Sequence, residues 1–316
     1  MILNILSEIE NNSSFLITTH ENPDGDAVGS TLALGCFLKS IAKDVLIYYR
    51  DPMPDTYLYL PLACTVVNEI PERHFDICFI LDAGEADRVC KGFSSLVKCR
   101  KLINIDHHPY GDKFGFINYV DPSASATGAM VYRIIKASGR QLDIETALCI
   151  YTAIVADTGS FRYSNANREA FIIAGELVDL GINPWMVSER LYESQPKNRL
   201  DLLALALSTL AVSEKGDFAS LTVTLDMFEK TGAGPDLTDG FVNYPRSIQG
   251  VEVAILFRQV SDRVYKVGFR SKGKVNVARL AAMLGGGGHH NAAGCTVTGS
   301  IEEVRKTVFS TIEKAL

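Results

Sequence analysis

A chain of 316 residues exceeds one typical core and suits two domains, and 47% hydrophobic against 22% charged residues excludes a disordered or fibrous protein. The formal net charge of -6 excludes a long electrostatic footprint on duplex nucleic acid, while leaving room for a short anionic ligand held in a pocket. The opening "MILNILSEIENNSS" has no basic n-region and no long apolar segment, and no run approaches the roughly 20 apolar residues of a membrane span, so a cytoplasmic location without membrane contact is expected.

Short apolar runs bounded by turn residues and rich in Ile, Val, Phe and Tyr predict strands at "FLITTH" (15–20), "DVLIYYR" (44–50), "DICFILD" (76–82), "KLINIDHH" (101–108) and "FGFINYV" (114–120). "DAVGSTLALGCFLKSIA" between the first two has apolar residues at helical spacing, and strand, helix, strand in that order predicts a parallel sheet covered on both faces. Helices follow at "ATGAMVYRIIKASG", at "DIETALCIYTAIVADTG" and over about 167–181. "PKNRLDLLALALSTLAV" (196–212) reads as one amphipathic helix joining two lobes, its leucines Leu202, Leu203, Leu205 and Leu207 serving packing. Beyond it "FASLTVTLD", "VEVAILFRQV" and "RVYKVGFRS" read as strands, the last two joined by a tight turn at Ser261-Asp262, with helices at "NVARLAAML" and "SIEEVRKTVFSTIEKAL". The expected fold is therefore α/β with two domains, a parallel-sheet domain over 1–190, a linker helix over 191–215 and a smaller α/β domain with a mixed sheet over 216–316. Seven cysteines without a CxxC pair, mostly inside apolar runs, read as buried reduced thiols.

Five of the six histidines fall in three short stretches: His20, the pair His107 and His108, and the pair His289 and His290. His20 ends the first predicted strand, Asp82 the third, and Asp106 with His107 the fourth. In an open parallel sheet, ligands bind beyond the carboxyl ends of the strands, so these groups should converge. His20, Asp24, Asp26, Asp82, His107 and Asp157 form an imidazole and carboxylate set suited to Mn²⁺ and usable by Co²⁺, Zn²⁺ or Mg²⁺. They are enough for two ions, and too many unpaired carboxylates to leave together without cations. Near the other end, Gly285 to Gly288 follow a helix and precede His289; a backbone without Cβ atoms can approach an anion closely, and the small residues of "HHNAAG" suit a packed helix start beside a phosphate. Arg162, five residues past Asp157, could reach the same phosphate or pair with an acid.

With "HENPDGDA", "LDAGEADR", "DHHP", "ADTGSF" and the later "GGGGHHNAAG" in register, the sequence resembles the DHH phosphoesterase superfamily with its associated DHHA1 domain over nearly the whole chain. Length and domain order most resemble the stand-alone nanoRNase/pAp phosphatase subfamily of bifunctional oligoribonucleases. The resemblance implies an active site in the cleft between the two domains, with His20, Asp24 and Asp82 around one Mn²⁺ and Asp26, Asp82, His107 and Asp157 around a second, Asp82 bridging and Mg²⁺ or Co²⁺ as substitutes. It implies that Asp106 holds ring orientation there, or accepts backbone hydrogen bonds at a buried strand end, and that His108 faces the substrate phosphate or leaving oxygen. Arg270, Ser271, Gly287, Gly288 and His289 then hold the substrate.

The expected activity is hydrolysis of short single-stranded RNA, including dinucleotides, to 5′-mononucleotides, and removal of the 3′-phosphate of 3′-phosphoadenosine-5′-phosphate, by in-line attack of a hydroxide bridging two metal ions. Closure of the lobes would assemble the site. A soluble cyclic or linear dinucleotide phosphodiesterase is the competing expectation, and a non-catalytic nucleotide-binding protein a weaker one. An apolar helix face in the first lobe offers a surface for a homodimer.

Overall fold

The five apolar runs of the first half form one all-parallel sheet in the computed structural model of the chain, which describes residues 1–70, 72–108 and 111–314. The chain divides into two compact units, Met1–Ser194 and Gln195–Leu316.

The first unit runs α1 (Ile2–Asn11), β1 (Ser14–Thr18), α2 (Gly25–Ser40), β2 (Asp44–Tyr48), β3 (Phe75–Leu81), α3 (Phe93–Leu96), β4 (Cys99–Asp106), β5 (Ile117–Val120), α4 (Thr127–Ala137), α5 (Ile144–Asp157), α6 (Arg168–Asp179) and α7 (Pro184–Ser188). Its strand order is β2-β1-β3-β4-β5. The order reverses between β1 and β3, which opens a crevice at their carboxyl ends. Side chains alternate across the sheet: Phe15, Ile17, Ile77, Phe79, Ile103 and Ile105 pack beneath α1, α2, α4 and α5, while Leu16, Cys78 and Ile80 pack against Val89 and Phe93 on the other face. The helical layer is drawn tight by small residues. A Cβ on Gly29 of α2 would stand 2.6 Å from the Cys149 carbonyl oxygen of α5, so only glycine lets these two helices approach this closely.

Helix α1 was not among the sequence expectations; it is amphipathic and buries Ile5 and Ile9 in the first core. Helix α6 leaves Phe171, Ile172 and Val178 exposed, an apolar helix face in this unit. Among the described residues no single helix is long and apolar enough to cross a membrane. The seven cysteines are free, but Cys64 is exposed and Cys90 and Cys99 are half-buried, so burial does not account for all of them.

The second unit runs α8 (Lys197–Leu207), β6 (Ala211–Val212), β7 (Phe218–Val223), α9 (Leu225–Thr231), α10 (Asn243–Ser247), β8 (Val253–Ser261), β9 (Val264–Ser271), α11 (Val277–Met283), β10 (Gly287–His289), β11 (Ala292–Thr298) and α12 (Ile301–Glu313). Its mixed sheet has the order β10-β11-β9-β8-β7-β6, with β7 and β8 parallel and the other neighbours antiparallel. One face packs Val253, Ile255, Phe257, Val267 and Phe269 against α11 and α12, whose Leu280, Val304, Val308 and Ile312 are buried.

Three local expectations differ from the structure. The helix expected over 196–212 ends at Leu207 and is followed by β6; of its leucines Leu202 and Leu203 are buried, whereas Leu207 is exposed. The turn expected at Ser261-Asp262 lies at Asp262-Arg263, because Ser261 still pairs with Val264. "HHNAAG" does not start a helix: the glycine run enters β10, which pairs with β11 as Gly287 to Gly294 and His289 to Ala292. Small residues there allow two backbones to lie close as a hairpin rather than opening a helix.

Candidate functional site

The carboxyl ends of β1, β3 and β4 deliver His20, Asp82, Asp106 and His107 to one edge of the first sheet. Asp24 and Asp26 arrive on the first turn of α2, and Asp157 ends α5. Asp24 caps α2, its Oδ1 accepting the backbone N–H groups of Asp26 and Ala27, each at 3.1 Å. Asp82 has φ 58, a left-handed conformation at a strand end that few non-glycine residues adopt and that directs its side chain into the crevice.

Three groups of side chains could each hold a cation, with their ligand atoms within 4.8 Å of one another: His20, Asp24 and Asp82; Asp26, His107 and Asp157; and Asp82, His107 and His108. Asp82 links them. Its Oδ2 lies 4.0 Å from His20 Nε2 and its Oδ1 3.6 Å from His107 Nε2, so its two oxygens face two different clusters. His107 Nε2 also stands 3.7 Å from Asp26 Oδ2 and 3.7 Å from Asp157 Oδ2.

Both imidazoles are turned by their other nitrogen. His20 Nδ1 is 2.7 Å from the Glu21 carbonyl oxygen and His107 Nδ1 is 3.2 Å from that of Ala124. With the proton on Nδ1, each ring donates to a carbonyl and presents a bare Nε2 lone pair to the carboxylates, the tautomer a metal ligand needs.

Electrostatics give the fit test for a cation. Burial pushes the Asp26 carboxyl up to about 8, with His107 pulling the other way and Asp157 and Asp24 adding to the rise. Burial likewise raises Asp157 to about 6, and raises Asp82 well above the carboxylate range with the neighbouring Asp26 and Asp24 adding to it. Burial lowers His20, which keeps it neutral; for His107 burial also acts downward but is outweighed by Asp26 and Asp157. Among the described residues no Lys or Arg forms an ion pair with Asp24, Asp26, Asp82 or Asp157. Asp26 and Asp82, buried without a Lys or Arg partner, together with Asp24, Asp157 and the imidazole nitrogens of His20 and His107, make a donor set that divalent cations satisfy.

Asp106 stands behind this group. Its Oδ2 accepts the Gly84 N–H at 2.8 Å, and its Oδ1 accepts the His108 N–H at 3.1 Å and lies 2.7 Å from His108 Nδ1. Burial would raise its carboxyl, but the hydrogen bonds from His108 outweigh it and hold the group below its ordinary value. Arg162 is apart from the cluster: its Nε donates to the Gly159 carbonyl at 2.7 Å, it is exposed, and it has no carboxylate partner among the described residues.

Three residues that motif spacing did not single out also touch the centre. The backbone N–H groups of Thr127 and Gly128, at the start of α4, donate to Asp26 Oδ2 and Oδ1 at 2.6 and 2.9 Å. Thr127 Oγ1 donates to Asp82 Oδ1, and Asn165 Nδ2 to Asp157 Oδ2. A small-residue turn leading into a predicted helix, "SATG", was the visible signal.

In the second unit Arg270 lines a cavity of about 660 Å³, within the size range of small-ligand sites. Lys266, Gly268 and Arg270 alternate onto this face of β9, Arg258 comes from β8, and Gly286 and Gly294 complete the floor, where a Cβ on Gly268 would meet nothing within 4 Å. Asp236 and Asp239 also line it. Arg258 and Lys266 were missed by the motif reading, although their parity with Arg270 across paired strands is legible. Ser271 points to the other face: it is buried, its hydroxyl donating to Glu252 Oε1 at 3.0 Å and accepting the Gly273 N–H at 2.9 Å. Gly287 and Gly288 lie in β10 outside the cavity lining, and the side chain of His289 lies outside the described residues.

Comparison with known proteins shows the family of the chain. The model of the DHH family, N-terminal domain, matches residues 14–154, and that of the DHHA1 domain matches residues 218–314. The chain is 33% identical to the bifunctional oligoribonuclease and PAP phosphatase NrnA of Thermus thermophilus, in an alignment covering 100% of this chain and 94% of the relative. It is 30% identical to the protein of the same name from Bacillus subtilis, over 90% of this chain and 89% of that one. A crystal structure of an exopolyphosphatase-related protein from Bacteroides fragilis superposes with a TM-score of 0.93 at 31% identity, covering 99% of this chain and 95% of that chain. The chain belongs to the DHH family, its DHH N-terminal domain followed by a DHHA1 domain.

Proposed function

We propose that the chain is a divalent-metal phosphoesterase that cleaves short oligoribonucleotides, dinucleotides included, to 5′-mononucleotides and removes the 3′-phosphate of 3′-phosphoadenosine-5′-phosphate. The observation that carries the reading is Asp82, whose oxygens face His20 on one side and His107 on the other. The names of the two NrnA relatives support the substrate class.

In this reading His20, Asp24 and Asp82 hold one ion, and Asp26, Asp82, His107 and Asp157 hold a second, Mn²⁺ fitting the donor set best. When bound, the ions supply a nucleophilic water near neutral pH and neutralise charge on the phosphoryl oxygens. The chain does the rest. Asp106, an anion fixed by the Gly84 N–H, keeps the proton of His108 on Nδ1. With Nδ1 so engaged, His108 Nε2 in the imidazolium form donates to the substrate phosphate or passes its proton to the leaving oxygen, ending as the neutral ring. In the second unit Arg270 grips a phosphate with its guanidinium fork, beside the Gly286 backbone.

The test is a labelled dinucleotide and labelled 3′-phosphoadenosine-5′-phosphate incubated with the full chain, in Mn²⁺ and in excess chelator. Mononucleotide and free phosphate are expected only with Mn²⁺. Both substrates recovered intact with Mn²⁺ present would overturn the assignment.

A further inference from the structure

The turn 124–128 reaches every side chain of the Asp26, His107 and Asp157 cluster, although none of its residues is a candidate ligand. The Ala124 carbonyl faces His107 Nδ1 at 3.2 Å. The Ser125 carbonyl accepts from Asn165 Nδ2 at 2.9 Å, and the same nitrogen donates to Asp157 Oδ2 at 2.7 Å and approaches the Asp157 carbonyl at 3.2 Å. Thr127 Oγ1 donates to Asp82 Oδ1 at 3.0 Å, and the backbone N–H groups of Thr127 and Gly128 donate to the two oxygens of Asp26.

We propose that this turn and Asn165 form the positioning frame of the second cation, with Thr127 and Asn165 as positioning residues that set the angle of Asp82 and Asp157. The inference rests on the metal reading above and assigns the geometry of one of its two sites.

The helix start itself argues for a frame. Ala126 occupies the N-cap of α4 and offers no side-chain cap, where Ser, Thr, Asp or Asn would normally satisfy the first N–H groups. Those groups are satisfied instead by Asp26, 101 residues earlier in the chain. Helix α4 and Asp26 are thereby locked to each other, and neither can shift without exposing buried donors.

Asn165 is equally determined. Its amide nitrogen, with two protons, faces three oxygens, and the flipped amide would set oxygen against all three. The contact with Asp157 Oδ2 uses one lone pair of that carboxylate oxygen and leaves the other for a cation. Thr127 acts on Asp82 in the same manner, stopping the rotation that would turn Oδ1 away from His107.

The first cluster is held by other means. His20 is oriented by the Glu21 carbonyl and Asp24 by the start of α2, so damage to the Asn165 side of the frame should be selective, whereas Thr127 reaches both clusters through Asp82.

The experiment is calorimetric titration of Mn²⁺ into substrate-free full-length chain, for the wild type and for Asn165→Ala, Thr127→Val and Thr127→Ser, with metal-free melting curves to establish that each folds. The wild type is expected to take up two ions. Asn165→Ala should weaken one of them about 10- to 100-fold, the range for groups that orient metal ligands, and spare the other. Thr127→Val keeps the side-chain shape but removes the hydroxyl; because Asp82 serves both clusters it should weaken both ions, and Thr127→Ser should restore them. Should Thr127→Val fail to fold, Asn165→Ala decides. Two ions bound with wild-type affinity by folded Asn165→Ala overturn the frame and leave the metal reading standing. A wild-type chain that takes up no Mn²⁺ overturns the metal reading itself.

Discussion

Asp106 and His108 are joined by a 2.7 Å contact between Oδ1 and Nδ1, while the Gly84 N–H occupies the opposite Asp106 oxygen at 2.8 Å. The pair fixes one imidazole tautomer, and Asp106 belongs to none of the three groups whose ligand atoms converge. Asp106→Asn preserves the volume but sets an amide where an anion was needed, and His108 loses the group that holds its proton on Nδ1. Turnover should fall by about 100-fold or more, the scale of a lost proton-transfer group, with little change in KM and with Mn²⁺ uptake intact. Steady-state kinetics beside a metal titration check this; unchanged kcat would show that His108 needs no orienting partner.

Asp82→Asn separates metal binding from folding. Asp82 is buried among other carboxylates, and burial pushes its acid well above the ordinary range, so a neutral amide relieves repulsion in the metal-free chain. The metal-free variant should therefore melt no lower than the wild type above neutral pH. A cation at 100 times its Kd stabilises a fold by about 2.7 kcal/mol, and this increment should be absent from the variant. A melting curve of Asp82→Asn that still rises with Mn²⁺ would show that the two clusters do not share this residue.

The candidate ligand set was legible because parallel strands announce themselves as apolar runs, and residues at their carboxyl ends share one edge by topology. His20, Asp82 and His107 needed no long-range information beyond strand order. The contacts of Thr127 and Gly128 were not legible, since their partners lie 45 to 102 residues away and a backbone N–H carries no residue signature, and Asn165, though only 8 residues past Asp157, reads in sequence as an ordinary loop asparagine. Helix α1 was passed over because its amphipathic pattern was weighed only as a targeting segment. The glycine run misled in its own way: it signals close backbone approach, but whether to an anion or to β11 depends on pairing that spacing does not encode. Ser271 was placed with Arg270 by motif, whereas strand alternation sends the two neighbours to opposite faces.

The pH dependence of the metal-free chain follows from Asp26 and Asp157, whose acids are pushed by burial to about 8 and about 6 from an ordinary 3.8. A carboxyl with a raised folded-state value binds its proton more tightly when folded. Its stabilisation is complete below the unfolded value and is lost as pH rises through the folded one. His107, also raised, acts in the same direction, whereas His20, lowered by burial, favours folding as pH rises through 6.5. In chelator, Tm should fall between pH 5.5 and 8.5, and the fall should be smaller in Asp26→Asn. The Mn²⁺ increment should grow over the same interval, because fewer protons must leave. An increment independent of pH would mean that these carboxyls do not receive the cation.

Gly29→Ala tests the seam between α2 and α5. The added Cβ would stand 2.6 Å from the Cys149 carbonyl and 2.8 Å from the Ala153 Cβ, so the helices must part. Overpacking of this kind costs about 1–3 kcal/mol, and Tm should drop by about 2–4 °C for each kcal/mol in a unit of this size. Because α2 carries Asp26 and α5 carries Asp157, Mn²⁺ affinity should fall together with Tm. A stable variant with wild-type affinity would show that the helices tolerate a wider spacing.

Lys266 should report substrate length. It shares a face of β9 with Arg270, four residues along the strand, which sets the two positions about 14 Å apart at roughly 3.4 Å per residue. The Lys266 side chain is exposed and has no hydrogen-bond or ion-pair partner among the described residues, so its charge is available to a second phosphate of an extended chain. The 3′-phosphoadenosine-5′-phosphate molecule is too short to span that distance from Arg270, whereas an oligonucleotide of several residues is not. Lys266→Ala should raise KM for a pentanucleotide and leave KM for 3′-phosphoadenosine-5′-phosphate unchanged. It should also flatten the salt dependence of pentanucleotide binding by about 0.7 in the slope of log K against log salt, the loss of one phosphate contact on a single strand. Equal effects on both substrates would mean that Lys266 acts on the first phosphate alone, and no effect on either would remove it from the binding surface.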